Sequence, residues 1–162
     1  PKTSNLRQLI EKESHCQCIR CREVKSDYTI GENIILDRID YDASFGKEIF
    51  LQYVSPDKKK LFALLRLRIP NQNVETRLIA SLQGAALIRE IHTYGKMNKI
   101  DKQDHDSPQH IGLGKKLLEE AERIAKKEFS LKKIAVISGV GVRGYYKKFG
   151  YKLKDSYMLK VI

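Results

Sequence analysis

Three cysteines fall within six residues, Cys16-x-Cys18-x-x-Cys21. Three thiolates this close can hold one metal ion, and zinc prefers four ligands in a tetrahedron. His92, His105 and His110 are candidates for the fourth, as is a ligand from an upstream domain. His15 is adjacent to Cys16 and poorly placed to share an ion with it. An odd, tightly spaced set argues against a disulfide framework and for a reducing compartment. A structural zinc clasp is favoured over three free thiols.

A second pattern is Gln109-x-x-Gly112-x-Gly114-Lys115-Lys116, which opens an amphipathic stretch. The first N–H groups of a helix have no internal partner, and the helix dipole places partial positive charge beside them. Glycines at 112 and 114 let a bulky anion approach the backbone, and the lysines add charge. A phosphate-binding turn and an ordinary loop ending both fit this stretch. It is not a Walker A loop, which needs glycine where Gln109 stands and Ser or Thr where Lys116 stands. Nor is it a dinucleotide fingerprint, because position 117 is Leu rather than Gly.

Two further pairs carry reactive groups. Glu90 and His92 alternate along one apolar-flanked segment, as a surface ion pair or as acid–base groups. Tyr145 and Tyr146 are adjacent in GVRGYYKKFG, as packing groups or as hydrogen-bond donors.

The elements that would position these groups follow from periodicity. TSNLRQLIEKE (3–13) reads as a short helix capped by Thr3 or Ser4. NIILDRIDYDAS, KEIFLQYVS and KLFALLRLRIP read as three strands, and their short connections require an antiparallel meander. Residues 71–83 fit a short helix or a loop. AALIREIHTYG (85–95) reads as a fourth strand. A charged loop, 96–110, follows; its length allows it to cover a ligand slot. The helix after Gly114 is expected to bury Leu117, Ala121, Ile124 and Ala125, with Leu118 at the margin. Glu119–Arg123 and Glu122–Lys126 should pair on its wet face. KKIAVISGV is a buried strand, GVRGYYKKFG a second helix, and YKLKDSYMLKVI one or two closing strands. The fourth and fifth strands, joined through a helix, should lie parallel with a right-handed crossover.

The 162 residues suit one mixed α/β domain with a core of its own. No apolar run approaches the ~20 residues of a membrane span. PKTSNLRQL has neither the apolar stretch nor the cleavage pattern of a signal peptide. It also lacks Met, as expected of a piece of a longer chain. A cytoplasmic location is the expectation. Net charge is +11, and residues 111–162 contain 13 Lys and Arg against 5 Asp and Glu, so they carry +8 of it. Such a balance suits a polyanion partner such as RNA, or simply a solvated basic surface.

QHIGLGKKLLEEAERIAKKEF together with GVRGYYKKFGYKL resembles the GNAT acetyltransferases. ALIREIHTYG, IAVISGVGVRGYYKKFGY and the closing YM narrow the resemblance to the acetyltransferase domain of the Elongator catalytic subunits, in an archaeal-type version. The resemblance runs over most of the chain, from CQCIRCREV to YMLK. It implies a GNAT fold over residues 26–162, with splayed parallel strands between flanking helices. Residues 1–25 would be a cysteine-containing junction from an upstream domain.

The resemblance also implies acetyl-CoA as substrate and a role in carboxymethyl modification of the tRNA wobble uridine. S-adenosylmethionine and a [4Fe-4S] cluster would belong to an upstream radical-SAM domain, a partner expected to lie outside this chain. There a radical would activate the acetyl methyl group, and thioester hydrolysis would follow in this domain. Carried onto this sequence, Glu90, Ile91, His92 and Thr93 would line the acetyl-pantetheine slot. Leu113, Gly114 and Lys115 would present amides to the pyrophosphate, with Gln109 and Gly112 shaping the turn. Tyr146 would approach the thioester with Tyr145 beside it. Glu90 would be the base or water-activating group, with His92 and Tyr146 as further catalytic candidates. The alternatives are a protein lysine N-acetyltransferase, or a tRNA-binding module with acetyl-CoA as ligand only.

Overall fold

The computed structural model describes residues 16–24, 28–29, 31–43, 46–71, 82–95 and 112–162. The helix expected at 3–13, the segment 72–81 and the charged loop 96–110 lie outside the described residues.

Among the described residues the first element is a four-residue helix α1 (Ile19–Arg22), followed by strands β1 (Ile35–Ala43), β2 (Gly46–Val54), β3 (Leu61–Pro70) and β4 (Ala85–Thr93). Helix α2 (Leu113–Lys127), β5 (Lys133–Ile137), a 3-10 turn at Val140–Val142, α3 (Arg143–Lys147), β6 (Lys152–Lys154) and β7 (Tyr157–Val161) follow. All seven strands form one sheet in the order β1-β2-β3-β4-β5-β7-β6. β1, β2 and β3 pair antiparallel in sequence, as their short connections require, and β4 pairs antiparallel to β3. β4 and β5 are parallel, joined through α2, and β7 returns antiparallel to β5.

Strand composition sets strand position. β3, LFALLRLRIP, is buried along most of its length and lies inside the sheet. β1 is mostly exposed and carries Asp37, Arg38, Asp40 and Asp42, charges that blunt an edge strand. Leu113, Leu117, Leu118, Ala121, Ile124 and Ala125 form the apolar stripe of α2. That stripe packs on Ile49 and Leu51 of β2, Leu65 and Leu67 of β3, Ile88 of β4 and Val136 of β5. A smaller cluster on the opposite face joins Val54, Leu61 and Leu64 with Ile19, Phe50 and Tyr94.

Several local expectations change. α2 begins at Leu113, one residue before Gly114. Leu118 is not marginal; it is 1% exposed. Arg123 pairs with Glu120 and Glu128 instead of Glu119, because both carboxylates come within 2.9 Å of its guanidinium. Glu119 pairs with Lys115. Glu122 is taken by Lys160 at 2.7 Å and by the Tyr151 hydroxyl at 2.9 Å, which ties α2 to the closing strands. Burial and the neighbouring Glu122 carboxylate push the Tyr151 phenol far up, so it stays protonated and donates. The second helix is shorter than GVRGYYKKFG, since its first residues form the 3-10 turn.

Candidate acetyl-CoA slot and cysteine clasp

β4 and β5 run together only from Ala85↔Lys133 to Ile88↔Val136. β4 then continues to Thr93, paired with β3 alone among the described strands. The separation begins where β4 is bulged. Arg66 faces Glu90 and Leu67 faces Ile88, so Arg89 is an extra residue with no partner on β3. The bulge shifts the alternation by one. Ile88 and Ile91 both join the cluster under α2. Thr93 lies on that same face, opposite Ala63, while Glu90 and His92 sit across from Arg66 and Leu64 on the other.

α2 aims its N-terminus at this gap. Gly112 precedes it at φ 72°, in the left-handed region where glycine carries no side-chain penalty. Lys116 N–H donates to the Gly112 carbonyl at 3.1 Å, closing the first turn. The amides of Leu113, Gly114 and Lys115 therefore precede the first intrahelical bond. Gly114 has a tighter reason to be glycine. A Cβ there would stand 2.9 Å from the Tyr145 hydroxyl and 3.5 Å from Thr93 Cγ2. Three separate segments, the end of β4, the start of α2 and α3, thus meet at one point.

Of the two adjacent phenols, Tyr145 reaches that point and is 38% exposed. Tyr146 is 4% exposed and packs in the core, edge-on to Tyr145 at 5.4 Å and to Tyr151 at 5.9 Å. Burial pushes both phenols above their ordinary range, so both remain hydrogen-bond donors at neutral pH. Ser138 Oγ and Arg143 Nε are buried with no hydrogen-bond partner among the described residues. Ser138 directly follows β5, and Arg143 opens α3. Orphaned buried polar atoms cost about 1–3 kcal/mol each, so a ligand that satisfies them is favoured. Neither residue stands out in the sequence, although both lie within ISGVGVRG.

Glu90 and His92 share a face, as alternation predicts, and are not paired with each other. Glu90 Oε2 lies 3.5 Å from Arg66 Nη1, and the His92 ring stacks on Tyr94 at 5.8 Å and 12°. Their side chains stand on the face opposite α2, whereas Thr93 and Tyr145 meet on the α2 face. Lys115 is exposed and only loosely held by Glu119 at 3.7 Å. Gln109 lies outside the described residues.

The sulfur atoms of Cys16, Cys18 and Cys21 lie within 4.8 Å of one another. Four zinc–sulfur bonds of ~2.3 Å at tetrahedral angles separate sulfurs by roughly 3.8 Å, so the set fits zinc with little movement. Cys18 caps α1, and hydrogen bonds from Cys21, first through its backbone, lower its thiol to about 7. The hydrogen bond with Cys18 raises Cys21 to about 12. His92 is not part of this cluster; His105 and His110 lie outside the described residues. The segment is fastened to the sheet: Arg22 donates to Gln52 Oε1 at 3.0 Å and to the Gln17 carbonyl at 2.9 Å. Val24 N–H donates to the Leu61 carbonyl at 3.0 Å, and Val24 is buried.

No family model matches the chain. It is 44% identical over 162 residues to a tRNA uridine(34) acetyltransferase of Dehalococcoides mccartyi, covering 96% of this chain and 34% of that protein. Human Elongator complex protein 3 is 41% identical over 167 residues, covering 98% of this chain and 30% of that protein. A solved structure, the archaeal Methanocaldococcus infernus Elp3 with an N-terminal deletion, superposes with a TM-score of 0.76 at 41% identity. It covers 96% of this chain and 38% of that one. The chain is similar over nearly its whole length to one part of the Elongator complex protein 3 proteins. It spans about a third of the length of the curated relatives it matches. The expected GNAT architecture holds: the chain forms a mixed sheet whose parallel pair, β4 and β5, splays between flanking helices. Among the described residues no helix is long and apolar enough to cross a membrane.

Proposed function

We propose that this chain is the acetyl-CoA-binding acyltransferase domain of an enzyme that modifies the wobble uridine of tRNA. The observation that carries the reading is the gap opened by the β4 bulge. It is faced by the amides at the start of α2 and by Tyr145. The names of the relatives, tRNA uridine(34) acetyltransferase among them, support the substrate class.

In this reading the amides of Leu113, Gly114 and Lys115 hold the pyrophosphate, with Gly112 and Gln109 shaping the turn. The backbone of Glu90, Ile91, His92 and Thr93 runs beside the pantetheine arm as a strand would. Acetyl-CoA supplies an acyl thioester. Tyr145 donates a hydrogen bond to the sulfur side of the gap, and Tyr146 fixes it by edge-on packing from the core. Glu90, on the opposite face and held by Arg66, accepts a proton from water or substrate, with His92 beside it. Zinc held by Cys16, Cys18 and Cys21 plus a fourth ligand fastens the N-terminal segment to the sheet. S-adenosylmethionine and an iron–sulfur cluster belong to an upstream radical-SAM domain of the intact, cytoplasmic protein.

The tRNA side of the proposal rests on charge. Lys126, Lys127, Lys132, Lys147, Lys148, Lys152 and Lys154 are exposed and pair with no carboxylate among the described residues. Changing Lys147, Lys148, Lys152 and Lys154 to Glu in the full-length protein should weaken tRNA binding about 100-fold at 0.1 M salt and flatten its salt dependence. Release of CoA from acetyl-CoA should rise when tRNA is added to the parent and rise far less in the variant. Turnover indifferent to tRNA, together with acetylation of a lysine peptide, would overturn the reading in favour of a protein acetyltransferase.

A further inference from the structure

The residue that makes the bulge is also the one most unusually held. Arg89 Nη1 donates to Glu48 Oε1 on β2 at 2.8 Å, reaching across β3 to do so. Glu48 is 1% exposed, an extreme burial for a carboxylate. Arg68, directly opposite Glu48 on β3, lies 3.5 Å from the same oxygen and also donates to the Ala43 carbonyl. Glu48 Oε2 has no hydrogen-bond partner among the described residues. The carboxylate is thus tied through one oxygen to the side chains of two neighbouring strands.

A buried, half-satisfied carboxylate destabilises a fold unless its charge is compensated, so its presence calls for a reason beyond packing. The location gives one. A bulge leaves its extra residue outside the ladder, so β3 gives Arg89 no paired residue to fix it. β5 gives none either, because the parallel pairing ends at Ile88. The side-chain bond to Glu48 tethers that residue. Without it the strand could slip to a regular pairing. A one-residue slip would turn Glu90, Ile91, His92 and Thr93 to the wrong faces together.

We propose that Glu48 is a positioning residue for the acetyl-CoA slot: through Arg89 it fixes the β4 bulge, and the bulge sets which backbone groups face the gap. Glu48 touches neither Gly114 nor Tyr145 and acts only through Arg89. The inference rests on the acetyl-CoA reading for its functional consequence, but not for the clamp itself.

The test uses the 162-residue chain, with Arg89→Ala as the first variant because Arg89 is half exposed and leaves Glu48 its Arg68 contact. Glu48→Gln and the double variant complete a cycle. Amide hydrogen exchange at Glu90 and Ile91 should speed up about tenfold in each single variant, with Leu51 on β2 unchanged. Acetyl-CoA affinity should fall about tenfold, with the double variant no weaker than the single ones. Arg89→Lys, which keeps a reaching cation, should restore most of the affinity. If exchange at Glu90 and Ile91 and the affinity both stay within twofold of the parent, Glu48 is merely a buried ion-pair partner and the proposal fails. If the parent binds no acetyl-CoA, the functional reading fails separately, and exchange at Glu90 and Ile91 alone decides the clamp.

Discussion

Gly114→Leu should abolish acetyl-CoA binding, weakening it at least 100-fold, while leaving helix α2 intact. A single Cβ at 114 would already lie 2.9 Å from the Tyr145 hydroxyl, nearer than ordinary contact. The four-carbon side chain of leucine would fill the point where Thr93, Gly114 and Tyr145 meet. Tyr145 would have to swing out, and the amide of residue 114 would be screened from any anion. A 100-fold loss corresponds to about 2.7 kcal/mol, within reach of one excluded contact and one lost backbone donor. Overpacking should cost about 1–3 kcal/mol of stability, since one tyrosine tip can move. Calorimetric titration against the parent, with circular dichroism as the check on folding, measures both. Near-parental affinity in Gly114→Leu would mean that acetyl-CoA does not lie against this helix end.

Cys18→Ser should remove the metal. Parent chain purified in the presence of zinc should retain about one ion per chain, and the variant almost none, by atomic emission. Zinc binds the folded site and so adds directly to stability. At free zinc a hundred times its dissociation constant the contribution is about 2.7 kcal/mol, worth roughly 5–11 °C of Tm at this chain length. The loss should be felt through Arg22 and Val24, which join the cysteine segment to β2 and β3. Metal retained undiminished in the variant, or a parent that holds none, would leave three free thiols instead of a clasp.

Much of the architecture was legible because the signals were local. The meander β1–β3 follows from alternating strands joined by connections too short for crossovers. The stripe Leu117, Ala121, Ile124, Ala125 follows from the 3.6-residue period. What was hidden depends on register and distant partners. REIHT contains no glycine to advertise a bulge, and the extra residue at Arg89 emerges only from pairing with β3. Glu122 has Lys126 at the favourable spacing, yet Lys160 and Tyr151 reach it first from the closing strands. Tyr145 and Tyr146 are indistinguishable as letters. Successive residues on a helix point about 100° apart, so packing sends one to the core and the other to Gly114. The glycine turn itself was visible from spacing, but Gly114 reads in sequence as room for a phosphate and proves also to be the seat of a phenol.

The central claim is that acetyl-CoA binds where β4 leaves β5, on the first amides of α2. It is tested most directly by amide hydrogen exchange of this chain titrated with acetyl-CoA. Saturable slowing is expected at Leu113, Gly114 and Lys115 and along Glu90–Thr93, with β1 and β2 unaffected. Binding that leaves those amides unchanged, or slowing confined to other strands, would contradict it.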